Sequence, residues 1–464
     1  MPQVYNLSGL NLKISPFLQQ EGEMIRSVNM MTDVIGAKKK RAGYATYLGT
    51  PDTSQVNSLF NFTLNNGTQF WNYRYSGSIL YYSQQGTGAW TTCGSGTMTA
   101  NANIGYTALA NTLIIGDGGS VTRHTTNGTS FTTTSLAPIA NYFTTFQNRI
   151  YAGGTASSLF YSTSGTPTDW TSDSSSYLIS GAGKINGVFN MIDSVHVSKN
   201  SGLFYKHNGV DLIDLSTGYA PSSPWSVGSV ETARIYLNRY GYHSYEGRPK
   251  ILSSYIESQI YNDEEKGIVG SVFDNAPGVA HRYDYLCSVG SVTDTLTGEQ
   301  VNNCVHHYDV RLNQWDNWSF AVRPTAWGQY KDTSGNLQLI FGDANGQCYT
   351  YSGTATSDNG SSIESIMEFV IHGGRPDLDK TFKYLKLMFN PGNEAKVSIA
   401  ISDTFTKGKK KWTGLGACSD GSVDFQFPSG SRGKLLFVKI TEASRNSRFQ
   451  FYGFSYEADL INRR

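Results

Sequence analysis

The sequence predicts an all-β protein whose main body is a β-propeller. Three observations lead to this prediction: the composition, hairpin signals that recur along the chain, and aromatic residues that close successive repeats at a nearly constant spacing. The 464 residues include 49 Gly, 29 Tyr and 23 Phe, and only 16% of them are charged. Such a composition favours many short strands joined by tight turns, because aromatic side chains pack on pleated sheets and Gly adopts turn conformations.

The first repeat begins near residue 55. Leu59–Phe62 and Gln69–Tyr73 lie on either side of Asn65-Asn66-Gly67. An Asn-Gly pair between two alternating apolar segments is the strongest short-range signal for a β-hairpin. The repeat continues through Ile79–Tyr82 and closes at Trp90, so it contains the elements of one propeller blade.

Two further repeats have the same layout. One contains Thr112–Gly119 and closes at Phe131, and the next contains Asn148–Ser162 and closes at Trp170. Trp90, Phe131 and Trp170 are therefore 41 and 39 residues apart, which is the usual length of a four-stranded propeller blade. Later units lie at 195–206 and 337–351, while the less regular stretch 225–320 should hold one enlarged blade or two. We expect about six or seven blades in total.

The chain is too long for one ordinary domain, so we expect a large body with smaller parts attached. We place an extended N-terminal arm at residues 1–50, the propeller at 51–355 and a C-terminal domain at 356–464. A polar linker, Thr354–Ser362, marks the boundary between the last two. One insertion helix is predicted near residue 254, where Ser254 and Glu257 form a capping-box pattern and Ile256 and Ile260 share a face. The C-terminal domain should be a small antiparallel sandwich or sheet of five strands: Ile366–Val370, Phe382–Phe389, Lys396–Ile401, Leu435–Ile440 and Phe449–Phe454.

No residue pattern indicates catalysis, a cofactor site or a metal site. The sequence contains no HExxH, GxSxG or P-loop motif. His306 and His307 are adjacent, so on a strand their rings point to opposite faces and cannot easily share one metal ion. The five cysteines are scattered, with no CxxC spacing, and are expected to be free buried thiols: Cys93, Cys287, Cys304, Cys348 and Cys418. We therefore predict no catalytic, cofactor-binding or metal-binding residues, and no enzyme.

Two basic runs stand out in a chain whose formal net charge is only +1. They are Lys38–Arg41 and Lys407–Lys411. Each is interpreted either as a solvated loop or as a contact with DNA phosphates or with an acidic neighbouring subunit. Because no aromatic residues alternate with these cations, recognition of a base sequence is not expected.

No membrane insertion is expected. The N-terminal residues Met1–Tyr5 do not begin a charged segment followed by an apolar one, and no stretch approaches the roughly 20 apolar residues that span a bilayer. We expect the chain to be made and folded in a cytoplasm.

The N-terminal stretch resembles the opening of many phage tail and head-to-tail proteins, in which an extended arm precedes a propeller. The residues that carry this resemblance are Gly9-Leu10-Asn11, Ser15–Leu18, Glu21–Met24, Val28–Met30, Gly36 and Lys39–Tyr44. A second resemblance supports the first. Lys250–Glu257, followed by Tyr283–Leu286 and Tyr308–Trp315, is similar in order to a helix and blade strands of the packaged-DNA stabilisation or hub proteins of short-tailed phages. The C-terminal domain matches that family only weakly.

This resemblance implies a structural protein of the virion tail, made in the host cytoplasm. Members of such a family form a ring, expected here to be a homohexamer, that extends the channel of the portal and the head-to-tail adaptor. The ring retains packaged double-stranded DNA, which passes through the lumen without sequence recognition, and it holds tail fibres or spikes.

Two alternatives remain open at this point. One is a carbohydrate-binding, receptor-recognising propeller that uses exposed Trp and Tyr side chains. The other is a sialidase-like glycoside hydrolase, because Ser162–Trp170 approximates a Ser-x-Asp-x-Gly-x-Thr-Trp turn, although its Asp and spacing differ.

Overall fold

The computed structural model describes the chain except residues 1, 34–35, 50–51, 65–66, 68, 155, 172–174, 192, 261–266, 269, 294–297, 393, 404–409, 419–420 and 462–464. The fold is all-β, as predicted. The first 50 residues, expected to form an extended arm, contribute five strands: β1 (Gln3–Val4), β2 (Met24–Val28), β3 (Met30–Thr32), β4 (Lys38–Lys40) and β5 (Tyr44–Thr46). These strands belong to three different sheets.

The first four blades of a β-propeller follow as separate four-stranded antiparallel sheets. Blade 1 contains β6 (Val56–Thr63), β7 (Phe70–Ser76), β8 (Ile79–Gln84) and β9 (Thr91–Thr92). Blade 2 contains β10 (Gly105–Leu109), β11 (Thr112–Gly116), β12 (Arg123–Thr125) and β13 (Thr132–Thr133). Blade 3 contains β14 (Ala140–Phe146), β15 (Arg149–Gly154), β16 (Ser158–Tyr161) and β17 (Ser175–Leu178). Blade 4 contains β18 (Ile185–Met191), β19 (Ser194–Lys199), β20 (Leu203–His207) and β21 (Leu212–Thr217).

The stretch 225–320 forms two units rather than one enlarged blade. Blade 5 contains β22 (Gly228–Val230), β23 (Ala233–Asn238), β24 (Gly241–Tyr245) and β25 (Pro249–Ile251). The next unit, called blade 6 here, contains β26 (Gly278–His281), β27 (Asp284–Thr293), β28 (Gln300–Asp309) and β29 (Gln314–Ser319), and it is part of a nine-stranded sheet. Blade 7 contains β30 (Ala326–Lys331), β31 (Leu337–Gly342) and β32 (Cys348–Tyr351), with β5 as its fourth strand. Six separate sheets and one shared unit confirm the prediction of six or seven blades.

The closing aromatics mark the blades as the sequence predicted. Trp90, Phe131 and Trp170 each precede the fourth strand of blades 1, 2 and 3. Phe131 and Trp170 are buried, and Trp90 is half-buried. The predicted hairpin of blade 1 also forms, with Phe60 opposite Tyr73.

The ring closes between blade 7 and blade 1. The Thr325 hydroxyl donates to the Val56 carbonyl over 2.7 Å, and the Asn72 amide donates to the Lys331 carbonyl over 2.9 Å. The Tyr330 hydroxyl donates to the Tyr73 carbonyl. Because β5 pairs with β32, the N-terminal part of the chain completes the last blade.

The predicted insertion helix is present, and residues 261–266, which follow it, lie outside the described residues. A 3-10 turn, Ser253–Tyr255, leads into α1 (Glu257–Ile260), and the turn begins after Leu252 without a side-chain capping bond. Ile256 and Ile260 are both buried, as their spacing predicted. A second short helix, α2 (Gly270–Asn275), and a 3-10 turn at Pro224–Ser226 were not predicted.

The C-terminal domain is a sandwich of two sheets, and all five predicted strands are present. Its strands are β33 (Ser365–Ile371), β34 (Lys380–Phe389), β35 (Ala395–Ser402), β36 (Thr413–Cys418), β37 (Ser422–Gln426), β38 (Arg432–Gly433), β39 (Leu435–Glu442) and β40 (Gln450–Leu460). Side chains from both sheets, including Phe369, Leu385 and Phe451, form its core. Strand β2 lies between β29 of blade 6 and β33 of the sandwich, so one sheet runs from the propeller into the C-terminal domain.

Candidate functional site

The two sequence segments that carry the family resemblance lie against each other. The Leu10 amide donates to the Trp315 carbonyl over 2.7 Å, and the Leu12 amide donates to the Tyr255 carbonyl over the same distance. Further along, the indole nitrogen of Trp318 donates to the Met30 carbonyl over 3.1 Å. The N-terminal stretch and the blade 6 segment therefore form a single contact unit.

Two glycines of the N-terminal motif are required by these contacts. A Cβ atom on Gly9 would lie 2.7 Å from the Trp315 carbonyl oxygen, and one on Gly43 would lie 1.9 Å from the Ser357 carbonyl oxygen. Both contacts are with backbone atoms, which cannot swing away as a side chain can. Only glycine allows the N-terminal segment to approach blade 6 and the linker this closely.

Three of the four residues of the first basic run, Lys38, Lys40 and Arg41, are buried and paired within the chain, so they do not form a solvated loop. Lys38 forms an ion pair with Asp316 of blade 6 over 2.7 Å, and both side chains are almost fully buried. Lys40 forms one with Glu442 of the sandwich over 2.8 Å. The two lysines are two residues apart, so they project from the same face of β4. One partner belongs to the propeller and the other to the C-terminal domain.

Arg41 is the most highly connected member of the run. Its guanidinium binds both carboxylate oxygens of Asp358, over 2.6 and 2.8 Å, and its Nε donates to the side-chain oxygen of Asn29 over 2.7 Å. It also donates to the Ser319 carbonyl over 2.7 Å and lies over the Phe320 ring. A bidentate arginine–carboxylate pair has one preferred geometry. Arg41 therefore fixes the linker, blade 6 and the N-terminal segment relative to one another.

We call this set of contacts the joint. It consists of Asn29, Lys38, Lys40 and Arg41 of the N-terminal segment with Asp316, Asp358 and Glu442. Of the second basic run, residues 407–409 lie outside the described residues. Lys410 contacts the carboxylate of Glu368, and its ammonium lies over the Phe437 ring.

A cleft of about 750 Å³ opens beside the joint, between blades 6 and 7 and the sandwich. Its wall includes Lys39, Arg282 and Arg448, which make no side-chain ion pair or hydrogen bond within the described part of the chain. The carboxylate of Asp284 also lines it and is 2.8 Å from Nε2 of His307. Burial acts to raise the pKa of Asp284, but the contact with His307 and nearby cations lower it overall, so this carboxylate is ionised. The cleft is nevertheless dominated by positive charge.

The sequence predicts no metal-binding or catalytic role for the histidines and cysteines. His306 and His307 point to opposite faces of β28, as predicted: His306 pairs with the Tyr242 hydroxyl over 2.9 Å, and His307 stacks on Trp318. No group of three potential metal ligands is found among the described residues. These two side chains are held by neighbouring groups of the propeller.

The cysteines whose side chains are described are free and buried, as predicted: Cys93, Cys287, Cys304 and Cys348. Burial raises the pKa of Cys287 and of Cys348 to about 12, which disfavours the reactive thiolate. The side chain of Cys418 lies outside the described residues. Among the described residues, no helix has the length and apolar character needed to cross a membrane.

Two sequence features suggested alternative functions, and the structure shows where their residues lie. Five of the eight tryptophans are buried and the other three, Trp90, Trp225 and Trp412, are half-buried. Exposed aromatic side chains that could face a sugar ring are tyrosines, among them Tyr106, Tyr240 and Tyr283. The Ser162–Trp170 turn is closed by its own backbone, with the Thr163 amide donating to the Asp169 carbonyl over 2.9 Å, and Trp170 is buried. This turn connects the third and fourth strands of blade 3 and has a structural role.

No protein-family model matches the chain, and no curated protein matches it. Among solved structures, the chain is similar to the extracellular domain of the one component system BT4673 from B. thetaiotaomicron, with a TM-score of 0.45, 11% identity and coverage of 93% of this chain and 63% of that chain. It is also similar to YCF48 bound to D1 peptide, with a TM-score of 0.42, 8% identity and coverage of 66% and 94%. The computationally designed Ika8 protein gives a TM-score of 0.40, 9% identity and coverage of 66% and 99%. At these levels of similarity, function has to be argued from the residues of this chain.

Proposed function

We propose that the chain is a structural protein of a phage tail, a nozzle or hub that extends the portal and adaptor channel. The observation that carries the proposal is the contact between the two segments that resemble such proteins. The N-terminal motif and the blade 6 motif are far apart in sequence, yet residues from both are joined directly, as Leu10 is to Trp315. Motif residues that share one buried contact are explained by a common structural role.

The joint has the mechanical properties that such a role requires. A continuous sheet links blade 6 through β2 to the sandwich. One buried ion pair connects β4 to blade 6, and another connects β4 to the sandwich. Propeller blades leave few free strand edges, so subunits can meet through side chains without uncontrolled strand pairing. A ring that retains pressurised DNA needs such rigid subunits, and we propose a homohexamer that binds the adaptor on one side and fibres or spikes on another.

The charge distribution supports a passive conduit. The formal net charge is +1, and three of the four cations of the first basic run are paired inside the chain with Asp316, Asp358 and Glu442. A strongly basic lumen would bind DNA phosphates tightly and slow the sliding that ejection requires. In this proposal the protein does not catalyse a reaction, and double-stranded DNA passes without sequence recognition.

Labelling of phage particles tests the proposal. Antibodies raised against the purified chain should label one vertex of particles from the phage that encodes it, and particles assembled without the chain should lose their DNA. Electron microscopy of the purified 50.9-kDa protein, alone and with adaptor-bearing particles, should show a ring. Particles that lack the chain and yet retain DNA and infect normally would contradict the proposal, as would a stable monomer that joins no tail.

A further inference from the structure

The cleft beside the joint contains cations that the joint does not use. Lys38, Lys40 and Arg41 all have carboxylate partners within the chain. Lys39 lies in the same run but faces the cleft, together with Arg282 and Arg448. Like charges that share one concave surface raise its positive potential and attract an anionic partner.

The size of the cleft favours a short segment over a nucleic acid. Its volume of about 750 Å³ lies within the range of roughly 300–1,000 Å³ that is typical of pockets for small ligands. Proteins that bind duplex DNA specifically bury roughly 1,000–2,500 Å² of their surface. The cleft is therefore matched to a few residues of an extended peptide rather than to the much larger contact surface of a duplex.

The lining between the cations is partly apolar. Met31, Leu337, Tyr351 and Phe449 contribute to the wall, and Leu337 is 47% exposed. Phosphate groups offer no apolar surface to match these side chains. Ser447 also lines the cleft, although its hydroxyl oxygen is inaccessible to solvent.

We propose that the cleft binds an extended acidic peptide segment of a partner protein, with carboxylates at the cations and an apolar side chain against Leu337. The inference goes beyond the role as a nozzle or hub, because the chemistry of the cleft is the same whatever the propeller assembles with. Charge complementarity sets the partner's composition, and the volume of about 750 Å³ limits the bound segment to a few residues.

Fluorescence anisotropy with the full chain tests the inference. The probe is a labelled peptide, Glu-Leu-Glu-Glu-Phe-Glu, and the reference peptide has Gln at each Glu position. Wild-type protein should bind the acidic peptide about tenfold or more tightly than the Gln peptide. Arg282→Glu and Arg448→Glu should each weaken binding by about the same factor, because each reverses a charge in the wall.

Arg248→Glu is the matched control, since Arg248 is an exposed arginine in a turn of blade 5 that does not line the cleft. Melting temperatures of all variants should equal that of the wild type, because the three arginines are exposed. Equal weakening by Arg248→Glu would overturn the inference, as would equal binding of the Gln peptide or no binding of the acidic one. Binding of a short DNA duplex, but not of the peptide, that is lost in Arg282→Glu would assign the cleft to nucleic acid and would also overturn it.

Discussion

The closure of the blade ring and the joint both connect distant parts of the chain, but they use different groups. At the closure, neutral donors bind backbone carbonyls, as Thr325 does to Val56 and Tyr330 does to Tyr73. At the joint, charged side chains that are nearly inaccessible to water bind one another. Neutral hydrogen bonds add modest stability each, whereas a buried ion pair contributes little net stability but is costly to break from one side.

The ring closure and the joint make a specific contact in two different ways. Propeller blades repeat one packing arrangement, so a neutral closure suffices to hold the ring. The sandwich is joined to blade 6 through β2 and through the ion pairs of the joint. Ion pairs with fixed geometry favour a single orientation, because any other arrangement leaves a buried charge without its partner.

The largest effect is expected from breaking the joint at Arg41. Arg41→Met leaves Asp358, which is 4% exposed, without its partner and should lower the free energy of unfolding by roughly 3–5 kcal/mol. Urea denaturation monitored by tryptophan fluorescence measures this loss. The double variant Arg41→Met with Asp358→Asn should recover part of it, because no unpaired charge remains. A loss below about 1 kcal/mol in the single variant would refute the assigned role.

Acidification should destabilise the propeller through two of its buried histidines. Burial lowers the pKa of His196 to about 4 and that of His306 to about 3, below the ordinary value of 6.5. Between these pKa values and pH 6.5, the unfolded chain therefore binds protons that the folded chain does not bind. The contribution of each neutral histidine to the free energy of unfolding is fully present above pH 6.5. It is lost at roughly 1.4 kcal/mol per pH unit as the pH falls from 6.5 towards the pKa of that histidine in the folded protein.

His306→Gln isolates one of these contributions, because the amide oxygen can still accept the Tyr242 hydroxyl. The variant should lose roughly 1.4 kcal/mol less stability per pH unit than the wild type between pH 6.5 and 4.5. Urea denaturation at a series of pH values gives both slopes, and the two proteins are first compared at pH 7.5, where His306 is neutral in both states. Parallel slopes would show that His306 is not protected from protonation in the folded protein.

A smaller effect is expected at the ring closure. Tyr330→Phe removes the hydroxyl that donates to the Tyr73 carbonyl but keeps the buried ring. The loss should be roughly 1–2 kcal/mol, because one neutral hydrogen bond is removed and its acceptor remains buried. Thermal unfolding should show a smaller decrease in melting temperature than for Arg41→Met. The reverse order would contradict the distinction between closure and joint.

The smallest effect is expected from an ion pair at the surface. Lys206 and Asp193 are 2.7 Å apart, the same distance as Lys38 and Asp316, but their side chains are 26% and 68% exposed. Lys206→Met should therefore change the free energy of unfolding by less than about 1 kcal/mol, since water screens this pair. Lys38→Met, measured in parallel, should cost several times more. Equal losses would mean that burial does not determine the energetic difference.

Some strands were predictable because local sequence determines them. Apolar alternation located the five main strands of the sandwich, and Asn-Gly turns located the first hairpin. The innermost strands of blades 2 and 3, Gly105–Leu109 and Ala140–Phe146, were missed. In the first of these, Gly105 is buried and Tyr106 is exposed, so the residue types are the reverse of the usual apolar-in pattern.

The repeated blades, the opposite faces of His306 and His307, and the burial of the described cysteines could be predicted from the sequence, because each depends on residue type and local spacing. The roles of the cations in the first basic run depend instead on contacts between distant segments of the chain. Lys38, Lys40 and Arg41 find their carboxylates 278, 402 and 317 residues away along the chain. Lys39, between them, faces a cleft instead. Coulomb interactions depend on distance in space and on exclusion of water, and neither can be obtained from the residues that are adjacent in the sequence.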